Sequence, residues 1–193
     1  MGVSGLDAAS GMMSGTHTTD AGDRGMGRHV ATKLTYEQEF PADPVTVMAM
    51  LRDPAYVHEK GERTGSHDIS VDVTEMDDGG VVISCTRSMP ADVPSYAAPF
   101  VGDTITITET QTWAPPAADG STSAAVTVEF NSPLAYTGTI TLSPGAAGSV
   151  ANNEGAFKAS VPFVGGKVEK VAAEMTEKYL AKETTVGAEW LAR

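Results

Sequence analysis

The sequence predicts an α+β domain: a curled, seven-stranded antiparallel sheet wrapped around one long C-terminal helix, with two short helices after the first strand. Three observations carry this prediction. From Val30 onward, stretches of chain alternate apolar and polar residues with the two-residue period of strands buried on one face. No long crossover helix separates the last six of these patterns, so neighbours in sequence should pair antiparallel. Finally, after Gly165-Gly166, residues Val168, Val171, Ala172, Met175, Tyr179, Val186 and Trp190 recur at helical spacing and form one apolar stripe. A sheet of that size must curl, and its apolar face must be covered. The C-terminal helix is the only predicted element long enough to do so, and a cavity between the two is physically natural.

In the first strand Val30, Thr32, Leu34, Tyr36, Gln38 and Phe40 face one way, with Lys33, Thr35, Glu37 and Glu39 opposite. Pro41-Ala42-Asp43-Pro44 stops it, and Asp43 is placed to cap a helix with Pro44 in its first turn. Val47, Met48 and Leu51 supply that helix's buried side. Asp53-Pro54 restarts a second short helix carrying Tyr56 and Val57. Ile69, Val71 and Val73 mark strand two, and Asp77-Asp78-Gly79-Gly80 is a strong turn signal. Strand three puts Val81, Ile83, Cys85, Arg87 and Met89 on one face. A proline-rich loop leads to strand four, where Ile105, Ile107, Glu109, Gln111 and Trp113 oppose a face of threonines. Val126, Val128 and Phe130 mark strand five, and Tyr136, Ile140 and Leu142 mark strand six. Asn153, Gly155, Phe157, Ala159, Val161 and Phe163 give strand seven, which feeds the helix. Lys167, Lys170, Glu174, Glu177 and Lys178 fall on that helix's outer side.

Residues 1–29 show no periodicity and read as a disordered tail, leaving 30–193 as one domain. Met26 is a second candidate start. A formal charge of −12 disfavours a nucleic-acid or anionic-lipid surface, both of which call for basic patches. No apolar run approaches the ~20 residues of a membrane span, so no integral membrane contact is expected. The single cysteine, Cys85, excludes an intrachain disulfide and favours a reducing, cytoplasmic setting.

Several short runs spread over residues 31–191 carry a resemblance. They are Lys33-Leu34-Thr35-Tyr36 with Phe40-Pro41-Ala42-Asp43-Pro44, Arg87-Ser88-Met89-Pro90 with Phe100-Val101-Gly102-Asp103, Gly138-Thr139-Ile140-Thr141-Leu142, and Val161-Pro162-Phe163-Val164-Gly165-Gly166-Lys167-Val168-Glu169-Lys170. In this order they resemble an actinobacterial domain-of-unknown-function family. It lies in the START-like, helix-grip (SRPBCC) superfamily, which includes polyketide cyclases and lipid-transfer domains. The resemblance implies the fold and a hydrophobic-ligand cavity, and it implies no catalytic residues.

The inward strand faces are mostly apolar, yet Gln38, Arg87, Glu109 and Gln111 fall on them. Buried charges are costly unless paired. Either these groups orient a polar part of a ligand, or they sit at strand ends and reach solvent. With strands three and four paired across the proline-rich loop, Arg87 falls nearer Ile105 than Glu109, which leaves a direct Arg87–Glu109 pair in doubt. Candidate cavity-lining residues are Met48, Tyr56, Arg87, Glu109, Trp113, Tyr136, Phe157, Met175 and Tyr179. No metal-ligand spacing recurs among His17, His29, His58 and His67, and no cofactor is expected. Gly165-Gly166-Lys167 lacks the remaining residues of a phosphate loop and reads as a tight turn. The expected function is a carrier or sensor for a hydrophobic small molecule such as a lipid, polyketide or aromatic metabolite. The alternatives are a cyclase- or dehydratase-like enzyme in the same cavity, or an interaction module with a filled core.

Overall fold

The computed structural model describes residues 31–193. The tail, with His17, Met26 and His29, and the first-strand residue Val30 lie outside the described residues. The chain runs β1 (Thr32–Phe40), α1 (Pro44–Leu51), α2 (Pro54–Arg63), β2 (His67–Glu75), β3 (Val81–Pro90), α3 (Ala98–Val101), β4 (Thr104–Trp113), β5 (Thr122–Phe130), β6 (Leu134–Gly145), β7 (Gly148–Ala159) and α4 (Gly165–Leu191). The strands form one seven-stranded antiparallel sheet in the order β1-β7-β6-β5-β4-β3-β2. β2 to β7 is therefore a meander, β1 closes against β7, and α1 and α2 carry the chain from one edge to the other.

Local chemistry explains the helix starts. Asp43 Oδ1 accepts from the Val45 and Thr46 amides at 3.0 and 3.1 Å, and Asp53 Oδ1 accepts from the Ala55 amide at 2.8 Å. In each helix a proline occupies the first position, where its missing N–H costs nothing. The Asp77–Gly80 turn forms as expected, with Gly79 at φ 88° and the Gly80 amide donating to Asp78 Oδ1. The short α3 inside the 90–103 connection had no signature in the pattern.

Two expectations need correction. β7 ends at Ala159, so Val161 and Phe163 are not strand residues. Phe163 instead turns the chain with φ 64° and a fully exposed ring. The tightness before α4 therefore resides at Phe163 rather than at the double glycine. Gly165 has a different role, because a Cβ there would stand 3.1 Å from the Ala159 carbonyl oxygen.

The second correction concerns how α4 packs. Its 27 residues make a rod of about 40 Å. It lies on β1 and β7, while α2 lies against β2, and the middle of the sheet is left without a helix pressed on it. Its best-buried residues include Glu169, Ala173 and Glu183, with Val186 and Gly187, rather than most of the apolar stripe. Glu169 is fully buried. Its Oε1 accepts from the Ala159 amide at 2.7 Å, and its Oε2 accepts from the Thr32 amide at 3.0 Å and hydroxyl at 3.1 Å. One carboxylate thus ties the first turns of α4 to the adjoining ends of β1 and β7.

Candidate functional site

The space between α4 and the middle of the sheet is a cavity of about 230 Å³. That is slightly below the usual range for small-molecule sites, roughly 300–1,000 Å³. Tyr56, Arg87, Glu109, Trp113, Tyr136, Phe157, Met175 and Tyr179 all line it. Met48 does not. It packs half-buried against the core from α1, whose fully buried positions are Pro44, Val47 and Met50. The apolar stripe of α4 contributes Val168, Val171, Ala172, Met175 and Tyr179 to the wall. None of these residues is fully buried, and Met175 is 39% exposed, so this face borders the cavity and is not sealed within packed core.

The cavity is divided lengthwise. Toward the 90–103 connection its walls are apolar, with Met89, Ile105, Phe130, Leu134 and Val171. Further along β3 and β4 the walls become polar. Trp113 Nε1 donates to Gln111 Oε1 at 2.9 Å, Gln111 Nε2 donates to Glu109 Oε1 at 2.6 Å, and Arg87 Nη1 donates to Glu109 Oε2 at 3.0 Å. Arg87 stands opposite Ile107 in the register, so the Arg87–Glu109 pair is diagonal. The long arginine side chain spans that offset easily, and the doubt raised by the register is removed. Across the cavity, Lys60 Nζ of α2 lies 3.0 Å from Glu183 Oε1 of α4. The Arg87 guanidinium lies 5.3 Å from the Tyr179 ring centroid, a cation–π contact, and the Tyr179 hydroxyl is 2.7 Å from Thr64 Oγ1. Gln38 donates to the Leu180 carbonyl at 3.2 Å and to Thr184 Oγ1 at 3.1 Å, and accepts from Asn153 at 3.1 Å.

Electrostatics follow from this packing. Burial pushes the Glu109 carboxyl up, but Arg87, Lys60 and the Gln111 hydrogen bond together pull it down to about 2. Burial pulls the Lys60 ammonium down, and Glu183 with Glu109 more than reverses that. Arg87 behaves in the same way, with Glu109 the main stabilising charge. Burial pushes the Tyr56 phenol up to about 12 and raises Tyr136 as well. Cys85 is buried beside this cluster, and burial pushes its thiol up, as expected for an inert packed cysteine. The cavity wall thus brings two basic side chains, Lys60 and Arg87, against two acidic ones, Glu109 and Glu183.

Tyr136 lies over a floor of two glycines, Gly138 and Gly155, which pair directly across β6 and β7. A Cβ on either would stand within 2.6 Å of the Tyr136 hydroxyl oxygen. The missing side chains are what let this ring lie flat on the sheet.

Sequence reasoning missed Lys60 and Glu183. Lys60 is four residues after Tyr56 and three after Val57, the two residues identified as the inner side of α2, and that spacing was the available signal. Glu183 likewise falls four residues after Tyr179.

A curled antiparallel sheet gripping one long C-terminal helix, with a cavity between them, defines the START-like helix-grip class. The chain belongs to the family described as protein of unknown function (DUF2505), whose profile matches residues 35–191. No curated protein matches the chain in sequence. Among solved structures, TTHA0849 from Thermus thermophilus is similar, with TM-score 0.59 and 15% identity over 83% of this chain and 97% of that one. A STAR-related lipid transfer protein from Xanthomonas axonopodis gives TM-score 0.54 and 14% identity over 82% and 85%. A START superfamily protein from Mycobacterium smegmatis gives TM-score 0.54 and 13% identity over 82% and 98%. At these identities the likeness establishes the fold alone. Among the described residues, no helix is long and apolar enough to cross a membrane.

Proposed function

We propose that this protein is a carrier or sensor that binds a hydrophobic small molecule, such as a lipid, polyketide or aromatic metabolite, between the sheet and α4. The observation that carries the reading is that Val168, Val171 and Met175 on the apolar stripe line a cavity of about 230 Å³ and none of them is fully buried. Leaving that much apolar side chain uncovered forfeits stability that a filled core would have gained. A bound apolar molecule would recover it. The lipid-transfer name of one structural neighbour is consistent with this reading. The single cysteine and the charge of −12 suit a cytoplasmic carrier.

Cyclase- or dehydratase-like catalysis in the same space is the weaker reading. General acid–base work favours a group titrating near the working pH. Here Glu109 sits at about 2 and Lys60 is held above its ordinary range, each by its ion-pair partners. An interaction module with a filled core is disfavoured by the cavity itself. The test is native mass spectrometry of protein purified from its own host, joined to titration with an apolar fluorophore. Co-purified small molecule, or saturable dye binding displaced by apolar competitors, supports a carrier. Ligand-free protein that binds no dye refutes it.

A further inference from the structure

If the cavity is a carrier site, its charges constrain what it carries. Among the described residues, the acidic and basic side chains lining it are Lys60, Arg87, Glu109 and Glu183, two of each sign. Each is matched inside the cavity: Lys60 with Glu183 at 3.0 Å and Arg87 with Glu109 at 3.0 Å. All four are shielded, with side-chain exposures of 11%, 7%, 17% and 11% for Lys60, Arg87, Glu109 and Glu183. A cavity built to take a carboxylate or phosphate would hold a cation left over for it, and one built for an amine would hold a spare carboxylate. Here the sum is zero, and an ionic head group would bring an uncompensated charge into a low-dielectric space.

Hydrogen-bonding capacity nevertheless remains on the polar half. Among the described residues, no hydrogen bond occupies the Tyr136 hydroxyl, and Arg87 Nε is buried without a hydrogen-bond partner. Glu109 and Glu183 have lone pairs to spare, and Lys60 has N–H donors to spare. We infer that the ligand is an uncharged, mostly apolar molecule bearing a hydroxyl or carbonyl group, which it places among Arg87, Glu109, Lys60 and Tyr136. Its hydrocarbon part then extends toward Met89, Ile105 and Val171. A neutral hydroxyl can both donate and accept there without disturbing either ion pair.

This inference rests on the carrier reading, and one experiment separates the two. The full chain is loaded with an apolar fluorophore at pH 7.5 and titrated with decan-1-ol, decanoate and decyltrimethylammonium, which share one chain and differ in head-group charge. The alcohol is expected to displace the dye at least about tenfold more tightly than either ion, the ratio set by each 1.4 kcal/mol of discrimination. Equal or tighter displacement by decanoate or the ammonium overturns the inference and leaves the carrier reading standing. If the protein binds neither the dye nor any competitor, both fall. The variant Glu109→Gln leaves Arg87 uncompensated, so the preference should swing toward decanoate by about tenfold. Lys60→Met leaves Glu183 uncompensated and should swing it toward the ammonium, which gives a second reading if the first variant folds poorly. A folded variant whose preference stays that of the wild type also overturns the inference.

Discussion

Replacing Arg87 with methionine tests the electrostatic design of the cavity directly. The substitution keeps an unbranched apolar stem and deletes the charge that pairs with Glu109. In the wild type the Glu109 carboxyl sits at about 2 instead of 4.5. At about 1.4 kcal/mol per pH unit, that depression corresponds to on the order of 3 kcal/mol of stability at neutral pH. Arg87 is the largest of the groups pulling the value down, ahead of Lys60 and Gln111. Its removal should therefore cost about 3 kcal/mol, near the lower edge of the roughly 3–5 kcal/mol found when one partner of a buried pair is removed. Lys60 and Gln111 remain and keep the loss from being larger.

The double variant Arg87→Met/Glu109→Gln should recover most of this loss, since neither charge is then stranded and the glutamine can keep its contact with Gln111. Urea unfolding is the assay: the midpoint should fall in the single variant and largely return in the double, with the slope unchanged. The pH dependence gives an independent check. A carboxyl held below its unfolded value stabilises the fold above the ordinary carboxylate range, and that stability is lost as pH falls from about 4.5 toward 2. The acid-side loss should shrink in Arg87→Met. A single variant that costs under about 1 kcal/mol, as exposed pairs do, would mean that water screens this cluster, and the reasoning fails.

Three further substitutions probe other parts of the design. Met175→Trp should fold with less than the ~1–3 kcal/mol cost of overpacking a solid core and should weaken binding of an apolar fluorophore; ready unfolding, with no dye bound by the wild type, would remove the carrier reading. Glu169→Ala should lower stability by about 3 kcal/mol or more, because it deprives the buried Ala159 amide and the partly buried Thr32 amide of their acceptor, and Glu169→Gln should recover part of that in thermal unfolding. Gly155→Ala should cost about 1–3 kcal/mol, since its Cβ would collide with the Tyr136 hydroxyl oxygen and stand 2.6 Å from the Thr137 carbonyl oxygen. Tyr136→Phe in that background should rescue only partly, because the carbonyl stays in place.

Strand order and helix positions were legible because they depend on period, caps and turns. Asp43-Pro44, Asp53-Pro54 and the Asp77–Gly80 turn announce themselves through backbone chemistry that acts locally. The inward faces of β3 and β4 were equally readable, since a two-residue period leaves Arg87, Glu109 and Gln111 no other side. The Arg87–Glu109 contact was not readable, because strand register leaves unstated how far a flexible arginine leans along the strand. The Phe163 turn was hidden for a different reason: an apolar residue in the right alternation reads as strand, and nothing local shows that the pairing has already ended.

The larger omission was on α4, and its cause is instructive. Hydrophobic periodicity finds a helix face only when that face meets apolar surroundings. Val168, Val171, Ala172, Met175 and Tyr179 make such a face, and it is the one turned to the cavity. A one-residue step turns roughly 100° around the axis. That step leads from Val168 to Glu169, from Ala172 to Ala173 and from Val186 to Gly187, the face that approaches β1 and β7. Glu183, in line with Tyr179, reaches Lys60 of α2 from the cavity wall. These contacts come from carboxylates that answer backbone amides and a buried lysine, and from small residues that permit close approach. To a periodicity argument these positions look like solvent. In the first half of α4 the assignment is inverted relative to an ordinary amphipathic helix: polar and small residues do much of the anchoring, and Val168, Val171 and Met175 line the cavity. Toward its C-terminal end α4 is anchored by Val186 and Trp190 of the stripe, but its first half is held by Glu169 and Ala173, which allows the sheet and the helix to stand apart at the middle strands. The cavity is thus a consequence of where Glu169 and Glu183 are, and moving either carboxylate should alter its shape before it alters its lining.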